Sequence, residues 1–331
     1  MFVVTGLPVA ILFCLITMLG WGSWANTQKL AGKEKWNFAL YYWDYALGVV
    51  LFSGVWALTL GSAGPAGMGA LENFRGASPA ALWDAFLSGI EFNVANILLV
   101  VAIDAAGMSV AFPVGVGLAL VIGTVKSYLQ EPRGDATLLF AGVAAIVAAM
   151  VLSAMAYSKL PRAPGRKWFR GVAFAVVAGA LMGFFYPQLM RAISPSFQQT
   201  PIQPGLLTPY TALVFFALGL AASNVVVNTA FLKTSGLGYG DYFAGSGRLH
   251  SLGLLGGAIW MLALSLNVLA SSVAGPAISY ALGQGATLVA AIWGVFVWRE
   301  FRDAPAGVNP LIAAMFAGYV GGLVLIGVAT R

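Results

Sequence analysis

Apolar positions run in long blocks through this chain, and short polar connectors separate them. The blocks fall at 5–27, 38–60, 82–104, 107–128, 136–157, 169–191, 207–231, 249–269, 273–298 and 308–329. Each is close to the ~20 residues that cross a bilayer core. Within a bilayer the backbone must satisfy its own N–H and C=O groups, which leaves helices or a closed barrel. Barrels are written in short alternating segments, whereas these blocks are long and continuous. The pattern predicts an all-α integral membrane protein of ten transmembrane helices. The connectors are too short for a soluble catalytic or nucleotide-binding module. The first block ends in Gly20-Trp21-Gly22-Ser23-Trp24-Ala25 and not in a small-residue cleavage site, so it reads as a span rather than a cleavable signal.

Composition agrees with the pattern. The chain is 60% hydrophobic and 8% charged, with a mean hydropathy of +0.87, against about a quarter charged in a soluble domain. The net charge of +6 is distributed unevenly. One set of alternate connectors holds Lys29, Lys33, Lys35, Lys159, Arg162, Arg166, Lys167, Arg170, Lys233, Arg248, Arg299 and Arg302; the other side holds Arg75, Lys126, Arg133, Arg191 and Arg331. Lys and Arg collect on the cytoplasmic side. The expected arrangement in a cell's inner (plasma) membrane therefore has both termini outside. The basic residues form no aromatic-interleaved surface, so nucleic acid is not an expected partner; the lipid bilayer is. Cys14 is the one cysteine, which excludes an intrachain disulfide.

Two regions resemble each other. Gly107-Met-Ser-Val-Ala-Phe-Pro113-Val-Gly115-Val-Gly117 and Ser272-Val-Ala-Gly-Pro276-Ala-Ile-Ser-Tyr280-Ala-Leu-Gly283 each combine Ser-Val-Ala, an early proline and a glycine-rich helix. Each helix ends at a mixed-charge turn and is followed by one last apolar helix. The expectation is two inverted five-helix repeats, 1–158 and 169–331, joined by a basic cytoplasmic linker at 159–168. Five helices per half put the halves in opposite orientations, an arrangement typical of transporters, with the solute site between the halves near mid-bilayer.

Ionisable groups inside spans are costly and point to function. Glu91 lies deep in span three, and Asp44 lies inside span two. An acid in an apolar cavity is suited to loading and releasing a proton, so these two are the candidates for proton or cation coupling. Asn93 and Asn96 share a face of span three, as Asn224 and Asn228 share one of span seven. Amides suit a neutral solute bearing hydroxyls or amides, and equally suit contacts between helices. Glu91 lies about 200° around an ideal helix from Asn93, so the two share one cavity only if the helix is lined widely. Trp21, Trp24 and Tyr42 are further candidates, though tryptophan and tyrosine also collect at membrane interfaces; Trp260 and Tyr280 lie deeper, where a ring can stack on a sugar or a planar solute, and Gln284 shares the Tyr280 face. Gly179/Gly183, Gly253/Gly257 and Gly318/Gly322 read as close-packing pairs. An enzyme is not expected: His250 is the single histidine, no His/Cys cluster could hold a metal, no nucleophile motif is present, and no cofactor is implied.

Trp21-Gly-Ser-Trp-Ala-Asn-Thr-Gln-Lys29, Tyr42-Trp-Asp-Tyr45 and Ala106-Gly-Met-Ser-Val-Ala-Phe-Pro-Val-Gly115 resemble the drug/metabolite transporter superfamily, in the branch of sugar porters, rhamnose–proton symporters and ureide permeases. The Trp-Gly-Ser element is similar to the glucose porters and the Tyr-x-Asp-Tyr element to the ureide permeases. The resemblance implies a proton-coupled carrier of a small polar solute, foremost a sugar. Ureides, nucleobases or nucleosides are the alternative, as is export of a metabolite or drug; a membrane protein that transports nothing is the remote one. It also implies a central cavity lined by spans one, three, four, six, eight and nine, with two and seven contributing. Trp21, Trp24, Asn93, Asn96, Gln188, Trp260, Tyr280 and Gln284 fit that rule, with Tyr42, Asn224 and Asn228 on spans two and seven. Pro113 and Pro276 are then hinges for alternating access. Solute, coupling ion, direction of transport and assembly as a homodimer stay open.

Overall fold

The computed structural model describes the chain apart from Pro65, residues 161–167, Thr200 and Arg331, and gives the backbone alone at Met108, Ser109 and Trp168. Most of the expected basic linker, including Arg162, Arg166 and Lys167, thus lies outside the described residues. Among those described, ten helices are long and apolar enough to cross a membrane. Spans one to ten are Leu7–Lys33, Phe38–Leu58, Pro79–Ala106, Met108–Gln130, Ala136–Ser158, Trp168–Ala192, Pro209–Thr234, Gly247–Ala274, Pro276–Val297 and Val308–Val328. Two short helices, Ala70–Gly76 and Tyr239–Phe243, lie in connectors. Span one begins and span ten finishes at one end, named the terminal end. The other end, where the odd-numbered spans finish, is the basic end.

Local chemistry starts the helices. Asn37, Ser78, Asp135, Thr208 and Ser246 each accept a backbone N–H of the first turn with the side chain, and Pro79 and Pro209 follow their caps, where a missing N–H costs nothing. Span one runs to Lys33 rather than to residue 27, because its last two turns are polar yet held. Lys29 and Lys33 both lie over the Trp298 ring, 4.5 and 4.6 Å from its centroid.

Span nine differs from the expected continuous helix. It is α-helical over Pro276–Gly283, breaks at Gln284 and Gly285, resumes over Ala286–Ile292 and ends as a π-helix, Trp293–Val297. The two hinge prolines are not equivalent. Pro113 is inside its helix, where it removes a hydrogen bond and bends the chain. Pro276 is the first residue of its helix and kinks nothing. Pro187 is a further proline inside a helix, in span six.

Helix neighbours follow one rule. Span three packs on six and seven, as span eight packs on one and two; span four packs on six, as span nine packs on one. Spans two and seven, four and nine, and five and ten pack on each other. Exchanging each span for the one five later returns the same set. The closest seams obey it too. A Cβ on Gly89 would meet Phe216 O at 2.0 Å and one on Gly219 would meet Phe86 O at 1.9 Å, between spans three and seven. Gly48 against Leu254 O (2.3 Å) and Gly257 against Tyr45 O (2.0 Å) do the same between spans two and eight. The expected pairs behave alike: Gly179 faces Gly115 O at 2.5 Å and Gly322 faces Gly142 O at 2.8 Å.

Candidate central cavity

A cavity of about 140 Å³ sits between the spans, lined by residues of one, three, four, six, eight and nine. Its wall is aromatic. Trp260 lies 4.1 Å from Phe92, 5.8 Å from Phe216 and 6.1 Å from Trp21, centroid to centroid, and Trp24 is 5.0 Å from Tyr45. Asn96, Gln284 and Thr287 supply the polar part. Asn96 Nδ2 donates to Tyr42 OH at 3.1 Å, which fixes the amide plane from behind. Gln284 is presented by the break in span nine.

The cavity continues into a vestibule of about 570 Å³; Phe112, Thr287 and Ala290 line both. Lys29, Lys33, Tyr157, Trp298 and Glu300 line the vestibule. These lie in the last turns of their spans or just beyond, so the opening is at the basic end. Glu300 pairs with Lys29 and accepts Tyr157 OH at 2.5 Å.

The Trp21–Lys29 segment builds this passage. Trp21 and Trp24 form the wall. Gly22 lets span nine approach: a Cβ there would lie 2.5 Å from Val289 Cβ. Ser23 Oγ accepts Trp293 Nε1 at 2.9 Å and Asn26 Oδ1 accepts Trp298 Nε1 at 2.6 Å.

At the terminal end, Arg133, Val4 and Asp135 hydrogen-bond to residues of span eight, of the cap of span ten and of the connector between spans six and seven. Arg133 donates to Ser272 O at 2.9 Å. Gln198 donates to Ser272 Oγ at 2.7 Å and to Val4 O at 2.6 Å. The backbone N–H of Asp135 donates to Ala329 O at 2.9 Å.

Of the sequence candidates, Trp21, Trp24, Asn96, Trp260 and Gln284 come together on the wall, with Tyr42 behind Asn96. The others lie off it. Asn93 Nδ2 donates to Ser223 Oγ at 2.9 Å and Asn228 Nδ2 to Ala39 O at 3.0 Å, both as ties between helices. Asn224 is fully buried, with neither amide atom hydrogen-bonded. Gln188 donates to Asp84 at 2.7 Å beside the Arg191–Asp84 pair. Tyr280 is fully buried, its OH 3.4 Å from Ala119 O and Met182 O. Glu91 is not on the wall; its Oε2 is buried without a hydrogen-bond partner. Glu91 and Asn96 therefore serve different surroundings. Asp44 accepts Tyr242 OH at 2.6 Å and lies 2.9 Å from His250 Nδ1. Burial, and after it the Asp44 carboxylate, holds the Tyr242 phenol above its ordinary range, so it stays a donor.

Sequence reasoning missed Phe92, Phe112, Phe185 and Thr287 on the wall, and the Lys29–Glu300–Trp298 group at the mouth. Phenylalanine in an apolar span carries no signal of its own. Glu300 was visible only as part of a mixed-charge turn.

No protein-family model matches the chain, and no curated protein matches it. One solved structure, described only as a crystal structure of protein, has 16% identity and a TM-score of 0.61, covering 96% of this chain and 95% of that chain. At that identity the likeness is one of fold. The fold and the cavity define a ten-span integral membrane protein with an internal space reached from one end.

Proposed function

We propose that the protein is a secondary transporter that moves a small polar, uncharged solute by alternating access. The observation that carries this reading is the cavity: six spans line it, it opens through a vestibule at the basic end, and cross-links tie the terminal end. An internal space reached from the basic end is what one state of a carrier requires. The exchange rule among helix neighbours supports two inverted repeats related by a pseudo-two-fold axis. It also supports the resemblance to the drug/metabolite transporters. With the basic end cytoplasmic, this state faces inward and both termini are outside, in the inner (plasma) membrane. A sugar suits Asn96, Gln284 and Thr287. The aromatic share of the wall favours a second reading, a planar ureide or nucleobase. The coupling ion in this reading is the proton, with Glu91 and Asp44 as its carriers.

Proteoliposome counterflow tests the reading, run with labelled sugars, ureides and nucleobases chosen by thermal-shift response, since a bound ligand stabilises the fold. Transport is expected for one class. Flux no faster than in protein-free vesicles for every class would end it.

A further inference from the structure

His250 is the chain's single histidine, and it stands well away from the cavity wall. Its Nδ1 lies 2.9 Å from Asp44 Oδ2, while Asp44 Oδ1 accepts Tyr242 OH at 2.6 Å. Three elements meet here: span two, the first turn of span eight and the short helix Tyr239–Phe243. The Asp44 side chain is 3% exposed and that of His250 25%, so the acid meets solvent through its partly exposed partners, His250 and Tyr242. Trp36 and Tyr242 hold the ring edge-on, 5.6 and 4.8 Å between centroids.

Among the described residues, the neighbouring titratable groups have partners of their own. Glu34 pairs with Arg248 at 2.8 Å. Tyr41 shares a 2.7 Å hydrogen bond with Thr27. Asp241 accepts its own helix's Gly238 N–H. With a neutral imidazole, the Asp44–His250 pair carries one negative charge. A single proton taken from the basic end makes it neutral, whether as an ion pair or as an acid beside an imidazole. A buried carboxylate with no counter-charge is costly, so the proton changes the energy of this contact substantially.

The seam has no slack to absorb that change. A Cβ on Gly253 would lie 2.4 Å from Asp44 Cβ, with the Gly257 and Gly48 contacts just beyond. A change at Asp44 therefore bears on how span eight sits on span two. Span eight carries Trp260 ten residues further on, about 15 Å along an α-helix. Span two carries Tyr42, which holds Asn96.

From this geometry we infer that Asp44, His250 and Tyr242 form a proton-binding site that sets the packing of span eight on span two, and through it the opening of the cavity. It deepens the transport reading and does not depend on Glu91.

The test uses no solute. Ala290→Cys, on the wall shared by cavity and vestibule, is introduced with Cys14→Ala, and its maleimide labelling is followed in nanodiscs from about pH 5.5 to about pH 8. The intrinsic pH dependence of the reagent is removed by normalising to a free thiol. The expected result is a change of about fivefold or more in normalised rate, lost in both His250→Gln and Asp44→Asn. A flat profile in the parent, or the same profile in both variants, overturns the proposal. Should the variants fail to fold, histidine-selective NMR on the untagged parent decides. One imidazole titrating in this range, together with the labelling, supports the site, and an imidazole that does not titrate overturns it. Counterflow separates the two readings. Labelling that responds to pH without any flux ends the transport reading alone; flux with pH-independent labelling ends this one.

Discussion

Gly107 and Gly275 hold the same unusual backbone conformation, φ 88° and ψ 159° at one and φ 85° and ψ 149° at the other. Each closes a long span and opens the next, so spans three and four, and spans eight and nine, turn back through a single residue. A side chain strains the backbone there, at a cost of about 1–3 kcal/mol. The equivalence also re-registers the two similar segments: the glycines correspond, and Pro113 and Pro276 do not.

Gly107→Ala and Gly275→Ala are each expected to lower thermal stability in detergent by about 1–3 kcal/mol. Gly275→Ala is further burdened by Arg133 Cβ at 3.0 Å. Gly54→Ala is the control: nothing lies within 4 Å of its Cβ position, so it should be neutral or stabilising. A clear loss at one junction and none at the other would mean that the two turns are not equivalent.

Asn96→Ala removes a cavity amide and leaves Tyr42 OH without its donor. Solute KM should rise about 2–10-fold, the range of one neutral hydrogen bond, and Trp260→Ala should cost at least as much through lost ring contact. Tyr280→Phe should cost less than either, because its ring is packed between spans and its OH bears on the cavity only through the Gln284 side chain. Unchanged kinetics in both Asn96→Ala and Trp260→Ala would remove this cavity as the solute site.

Membrane orientation is open to direct labelling. Phe2 is exposed at the terminal end and Lys159 at the basic end. In a Cys14→Ala background, an impermeant maleimide added to intact cells should modify Phe2→Cys and spare Lys159→Cys. The reverse pattern would invert the topology and make the present state outward-facing.

The spans were legible because a bilayer demands long apolar helices, and that demand is written in composition alone. Trp21, Trp24, Asn96, Trp260 and Gln284 were legible because polar or indole groups deep in a span are rare. Asn93 and Asn228 carry the same signal yet bond to other helices, since an amide ties two spans as readily as it holds a solute; Asn224 is buried off the wall with neither amide atom hydrogen-bonded. Helical spacing tells which residues share a face, and only the neighbouring spans tell what that face meets. The Asp44–His250 contact joins spans two and eight, and nothing local in either segment encodes it. The break in span nine was hidden for a similar reason: Gly283 and Gly285 make it possible, and close approach to Trp21, Met18 and Leu323 makes it useful.

Glu91 gives the sharpest test of proton coupling. It lies midway along span three, with one carboxyl oxygen buried and unpartnered. The charges that bear on it are those of Arg191, Asp84 and Lys126. Arg191 and Asp84 already pair with each other at 3.0 Å, and Lys126 lies over the Phe184 ring, 4.6 Å from its centroid. An unsatisfied buried acceptor costs about 1–3 kcal/mol, and more when charged. A purely structural glutamate would be a poor choice at this position. Glu91→Gln keeps the shape and removes titration, so thermal stability at neutral pH should stay level or rise. Solute exchange down a gradient should survive, while accumulation driven by a proton gradient should be lost. Normal gradient-driven accumulation in Glu91→Gln would exclude Glu91 as a proton carrier. A wild type that never accumulates solute, at any imposed gradient, would exclude coupling itself and leave a facilitator.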